Sequence, residues 1–260
     1  MAKVIRGLPA LLALAITFSI PPAEAAAAAP VMTSCDNFYN AAVSDGRYRI
    51  QNNVWNDVGG TQCLRATGAR FELTRSNHRK PVNGPPASYA SLYKGCHYRA
   101  CSAASGLPQR VDRMQRVRTD WNSSNVTSGA YNTSLDLWFD PRPNFASINA
   151  GEIMVWLNHR GGPQPAGSRM GQVRIDGTAY DLWKGVLRDS SRNISWVVVT
   201  YVRKTQVTAV AQLDLRNITR DATRRNYIKN GWYLNSVQAG FEVWQGGKGL
   251  RTNSFHVYTR

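Results

Sequence analysis

Along residues 151–157 the chain alternates without a break: Gly151-Glu152-Ile153-Met154-Val155-Trp156-Leu157. A period of two predicts a β-strand, with Ile153, Val155 and Leu157 on one face and Glu152, Met154 and Trp156 on the other. The first face suits a core. The second is unusual for a solvated surface, because its one carboxylate stands beside a thioether and a large aromatic. Residues 240–244, Gly-Phe-Glu-Val-Trp, repeat the arrangement. Phe241 and Val243 share one face there, and Glu242 and Trp244 the other.

The rest of the chain reads in the same period. Strands are expected over 47–55, 70–74, 128–139, 170–175, 178–183, 196–202, 232–244 and 254–258, while 91–98 leads into the second cysteine pair. Pro- and Gly-rich segments at 81–88 and 161–167 punctuate them as loops. Only residues 215–230 carry a helical pattern, with Leu215, Ile218 and Ala222 at helical spacing and Asn230-Gly231 as a stop. Many short, closely spaced strands with one helix predict an all-β two-sheet sandwich or jelly roll. No internal repeat and no linker to a second module is visible.

The beginning of the chain departs from this pattern. Lys3 and Arg6 precede an apolar run over 8–20, and Ala23-Glu24-Ala25 fits a cleavage site. This is the pattern of a secretory signal over residues 1–29, cleaved within 25–29 and followed by one catalytic domain over 30–260. The expected protein is secreted and extracellular, with no membrane anchor, and a monomer is expected. Four cysteines in an exported chain favour two disulfides, for which three pairings exist. The closeness of Cys96 to Cys101 suggests a local clip, which leaves Cys35 for Cys63. A zinc site needs paired ligands that this spacing does not supply, so no metal is expected.

The 32 basic residues outnumber 16 acidic ones, for a net charge of +16. Such a surface either is simply well solvated with no specific partner or attracts polyanions non-specifically, acidic cell-wall polymers being the natural ones for an exported protein. The arginines are spread along the chain and match no nucleic-acid-binding motif, so no specific nucleic acid is expected. A phosphate loop is also absent, because Glu242 stands where the glycines near 246–249 would need another glycine.

Two strands that each present a glutamate and a tryptophan supply what glycoside hydrolysis requires. One carboxyl attacks or activates water, the other protonates the leaving oxygen, and indoles stack on sugar faces. The motifs around them carry a resemblance. Residues 51–55 (Gln-Asn-Asn-Val-Trp), 95–98 (Gly-Cys-His-Tyr) with Cys101, 131–138, 152–156 and 236–245 together resemble the glycoside hydrolase family 12 endoglucanases, above all their bacterial branch.

That resemblance implies a jelly roll of two curved antiparallel sheets, with an open cleft on the concave sheet that binds a β-glucan. It implies internal cleavage of β-1,4-glucosidic bonds with retention, and no cofactor. By the same resemblance Glu152 is the nucleophile, Glu242 the acid/base, and Asp136 the carboxyl that contacts the nucleophile. Asn53 and Trp55 fall on a sugar-binding pair, and the disulfides fall on Cys35–Cys63 and Cys96–Cys101.

Other residues have two readings from sequence. His97 and Tyr98 either line the cleft or pack beside a disulfide. Met154 shares the face of Glu152 and could pad the sugar floor, and Trp183 is a further candidate for substrate binding. Xyloglucan or mixed-linkage glucan is the alternative substrate. A jelly roll that binds wall glycans without cleaving them is the alternative class.

Overall fold

The computed structural model describes residues 29–143 and 150–259, together with Met1. The expected signal lies outside the described residues, apart from its first and last positions.

The strands are β1 Val31–Ser34, β2 Asn40–Val43, β3 Tyr48–Gln51, β4 Gln62–Thr67, β5 Phe71–Arg79, β6 Ser88–His97, β7 Ala100–Cys101, β8 Gln109–Arg110 and β9 Arg118–Ser124. They continue with β10 Ala130–Asp140, β11 Gly151–Arg160, β12 Ser168–Ile175, β13 Thr178–Asp189, β14 Ile194–Arg203 and β15 Ala209–Asp214. The helix α1, Leu215–Arg224, precedes β16 Tyr233–Gly247 and β17 Arg251–Tyr258.

Two layers result, the jelly-roll sandwich expected. The inner sheet runs β2-β3-β6-β16-β10-β11-β14-β13-β12. The outer sheet runs β1-β4-β5-β17-β9-β15. β5 turns the corner between them: Glu72 pairs with β17 and Asn77–Arg79 with β16. One inner pair, β11–β14, is parallel. The β12–β13 excursion brings the chain back beside β11 in its original direction.

The alternation of residues 151–157 and 240–244 becomes the boundary between the layers. Ile153, Val155, Leu157, Phe241 and Val243 have no exposed surface and join Leu135, Leu137 and Phe139 in the core. At Gly240 the backbones of β16 and β6 approach closely. A Cβ there would collide with the Ala90 carbonyl oxygen, so the strand needs glycine at that point.

Several elements differ from the sequence reading. α1 stops at Arg224 rather than near 230, because Asn226 turns left-handed (φ 61°). At its start the Asp214 carboxylate accepts from the Arg216 and Asn217 amides, a regular N-cap. β5, β13 and β16 run further than their apolar patterns, since main-chain pairing continues into polar residues. β1, β2, β4, β6, β7, β8, β9 and β15 are not among the expected strands. β4 and β9 each mix apolar and polar residues over only six or seven positions.

Both disulfides form as expected, Cys35–Cys63 and Cys96–Cys101, and no cysteine is free among the described residues. The second closes the hairpin between β6 and β7, where Cys96 faces Cys101 and His97 faces Ala100. Replacing Cys96 and Cys101 by serine should lower unfolding stability by ~2 kcal/mol for so short a loop, read as a lower urea midpoint at unchanged slope.

Candidate active site

The site is built on three neighbouring strands of the inner sheet. β10 lies between β16 and β11, with Asn132 opposite Glu242 and Trp138 opposite Glu152. Even-numbered residues of β10 turn away from the core, so Asn132, Ser134, Asp136 and Trp138 lie between the two glutamates. The carboxylates therefore enter from opposite flanks of β10 and are displaced along it.

Glu152 is 5 % exposed. The Trp196 indole N–H donates to its Oε2 at 2.7 Å, and it shares a hydrogen bond with Asp136. Burial pushes its pKa up to about 7 against the opposing pull of these two bonds. Asp136 is 3 % exposed, and its Oδ1 has no donor. Burial first, then the charges of Glu152 and Glu242, hold its pKa well above the usual carboxylate range. Asp136 thus keeps a proton and lends it to Glu152.

Glu242 is half-buried. Its Oε2 takes a short hydrogen bond from Asn132 Nδ2, and its backbone N–H donates to Asn132 Oδ1 at 3.3 Å. Ser134 Oγ donates to the same Asn132 oxygen, which fixes the amide orientation. Burial, reinforced by the charge on Glu152, raises the Glu242 pKa to about 8. Both carboxyls are therefore raised above the usual carboxylate range by burial, each with its own hydrogen-bond partners, which is the setting acid–base catalysis near neutral pH uses.

Tyr89, opposite Glu242 on β6, donates its hydroxyl to the Ser134 carbonyl at 3.0 Å. Burial and all three carboxylates keep this phenol protonated. Beside it, Gln51 donates to Ser91 and Gln238, at 2.9 and 3.0 Å, and makes a buried polar floor.

The other sequence candidates fall at the two ends of this floor. Asn53 lies in a left-handed turn (φ 45°), and its carbonyl accepts the Tyr89 amide at 3.0 Å, which places it at the Glu242 end. Trp55 follows it, with 46 % of its surface exposed. His97 and Tyr98 are at the other end. His97 is buried against both Tyr98 and Trp138, with ring centroids 4.3 and 5.6 Å away. Burial and Arg192 lower its pKa to about 3, so the ring is neutral at ordinary pH. The pair thus adjoins the Cys96–Cys101 disulfide on one side and Trp138, opposite Glu152, on the other.

Met154 is 6 % exposed and packs with Trp156, Trp244, Val198 and Val202 in a second apolar cluster. Trp183 packs on the edge of that cluster. Trp244 donates its indole N–H to the Gly84 carbonyl at 2.7 Å, so the loop of residues 81–86 folds over it. The face shared by Glu152, Met154 and Trp156 is thus polar only at its first residue. The rest is a covered core, which accounts for its apolar character.

Sequence reasoning did not single out Trp196, Tyr89, Asn132 or Gln51 as site residues. For Trp196 the available signal is alternation along β14, which puts it on the same face as Val198 and Thr200. Its partner strand is visible only in the fold.

Comparison with known proteins gives a consistent picture. The family model for glycosyl hydrolase family 12 matches residues 46–259. A metagenome-derived glycoside hydrolase family 12 endoglucanase of solved structure is 38 % identical, with a TM-score of 0.82, and the match covers 89 % of this chain and 99 % of that one. The probable cellulase Cel12b of Mycobacterium tuberculosis is 30 % identical over 151 residues, 58 % of this chain and 95 % of the relative. A probable xyloglucan-specific endo-beta-1,4-glucanase A of Aspergillus fumigatus is 23 % identical over 94 % of this chain and 96 % of its own length.

Proposed function

The chain belongs to glycosyl hydrolase family 12, and from that premise we propose that it is a secreted endo-β-1,4-glucanase that works with retention. Glu152 is the nucleophile in this reading, and Glu242 is the acid and then the base. The observation that carries it is the set of three buried or half-buried carboxyls on one floor, in which Asp136 hydrogen-bonds to Glu152, Asn132 holds Glu242, and burial raises all three above the usual carboxylate range.

In the first step a Glu152 oxygen attacks the anomeric carbon. The bond to the leaving oxygen breaks as Glu242 delivers its proton to it. The Trp196 N–H and the Asp136 proton hold the attacking carboxylate in place. Once the glycosyl ester forms, the charge on Glu152 is gone, and one of the two causes that raise Glu242's pKa goes with it. Glu242 can then accept a proton from water, which attacks the anomeric carbon and releases Glu152. Retention requires carboxyl oxygens about 5–5.5 Å apart. Asn53 and Trp55 supply a hydroxyl partner and a stacking face at the Glu242 end. The leader and the single catalytic domain belong to the same proposal.

Release of reducing ends from barley β-glucan and carboxymethyl cellulose tests the activity, with proton NMR of the first anomer formed as the test of retention. A first product in the α configuration would remove the double displacement. The pH dependence follows from the same groups. Ionisation of Glu152 makes kcat/KM rise toward pH 7, and loss of the Glu242 proton makes it fall above pH 8. Asp136→Ala removes the proton lent to Glu152, so the acid limb should move to higher pH. Asp136→Asn keeps a donor and should leave that limb nearer its place. A limb that ignores both changes would detach Asp136 from the nucleophile.

Xyloglucan is the second reading, favoured by the full-length similarity to relatives named for that substrate. The same assay with tamarind xyloglucan decides between them.

A further inference from the structure

β6 and β14 are four steps apart in the inner sheet, with β16, β10 and β11 between them. At the ordinary interstrand spacing that is about 19 Å on a flat sheet. Yet the residues that leave β6 and enter β14 touch. The Arg192 guanidinium carbon lies 4.9 Å from the centre of the Tyr98 ring. Below this contact the span is filled by a line of rings, His97 to Trp138 at 5.6 Å and Trp138 to Trp196 at 5.9 Å. Trp196 is the residue that holds Glu152. The inner sheet is thus joined to itself on the Glu152 side, by two side chains rather than by strand pairing.

Both ends of the contact are built to hold it. Tyr98 and Arg99 form a two-residue hairpin turn with φ 43° and 67°. Such a turn favours Gly and Asn, and two ordinary residues there store backbone strain. The Cys96–Cys101 disulfide directly behind clamps it. Opposite, the Asp189 carboxylate accepts from the Ser191 and Arg192 amides at 3.0 and 3.2 Å and lies 3.4 Å from the Arg192 side chain. Strain on one side and a capped turn on the other aim two partly exposed side chains at each other.

We propose that Tyr98 and Arg192 form a clasp that closes the site on the Glu152 side and sets substrate choice, admitting an unbranched glucan and excluding one with sugar branches at that position. This rests on the glucanase reading above. A linear chain needs only the floor, whereas a branch on the sugar above Glu152 must pass where the clasp stands. One exposed cation–π contact is weak enough for the clasp to shape entry without sealing it.

The test measures kcat/KM on barley β-glucan and on tamarind xyloglucan for wild type, Arg192→Ala, Tyr98→Ala and the conservative Tyr98→Phe. Wild type should favour barley glucan. Each alanine variant should raise the ratio of xyloglucan to barley glucan by about tenfold, and Tyr98→Phe, which keeps the ring, should stay near wild type. Thermal melts of each variant identify any that fail to fold, and Arg192→Ala, on an exposed turn, carries the test in that case. An active wild type whose ratio does not move in Arg192→Ala overturns the clasp. A wild type that cleaves no glucan overturns the glucanase reading itself.

Discussion

Glu152→Ala should lose hydrolysis of β-glucan by about 10⁴-fold or more, and azide should restore turnover on an aryl β-cellobioside as an α-glycosyl azide. The shortened side chain leaves space beneath the anomeric carbon. Azide fills it and attacks once, with inversion, as the aryl oxide departs. Glu242→Ala should behave differently. Cleavage of the polymer, whose leaving oxygen needs a proton, should fall by about 10²–10⁴-fold, while formation of the glycosyl ester from an aryl glycoside with a good leaving group suffers far less. The ester then persists for want of a base, and azide, which needs none, attacks it to give the β-glycosyl azide. The two products distinguish the roles independently of rate. A β-azide from Glu152→Ala and an α-azide from Glu242→Ala would exchange the assignments. No azide product from either would remove both residues from the chemistry.

What the sequence reveals of this site is what a strand writes into a period of two. Glu152 and Glu242 are legible because core residues flank each of them, and those neighbours are fully buried in the fold. Asp136 is legible for the same reason, between Leu135 and Leu137. The residues that tune these carboxyls are not legible, because their partners are set by cross-strand register. Trp196 reaches Glu152 across 44 positions and Asn132 reaches Glu242 across 110. Alternation gives the face of a residue, and only sheet order gives its neighbour. Arg192 is a further step removed, since its contact with Tyr98 needs the curl of a whole sheet. The same limit explains Trp156 and Trp244. Their face is correctly foreseen, but the loop over Trp244 makes it a buried core instead of a sugar platform.

Glu242→Gln should be more stable than wild type above neutral pH and indistinguishable from it near pH 4. In the folded chain Glu242 keeps its proton up to about pH 8, whereas an unfolded glutamate loses it near 4.5. Between these values the unfolded state binds fewer protons than the native state, so unfolding becomes easier as pH rises, and the loss levels off above about 8. Glutamine carries no such charge and escapes the penalty, while its amide oxygen still accepts from Asn132. The shift corresponds to about 5 kcal/mol at full ionisation, which partial exposure of the side chain reduces to roughly 3 kcal/mol. For a domain of this size that is a gain in Tm of about 10 °C at pH 9. Glu152→Gln should show the same sign over a window that closes near pH 7. Thermal melts of the three proteins from pH 4 to 9 measure it, and parallel Tm curves would mean that the native chain does not hold the Glu242 proton. The inversion is the thermodynamic counterpart of the acid role. A carboxyl can protonate a leaving oxygen near neutral pH only if the fold resists its ionisation, and that resistance is instability once the proton is gone.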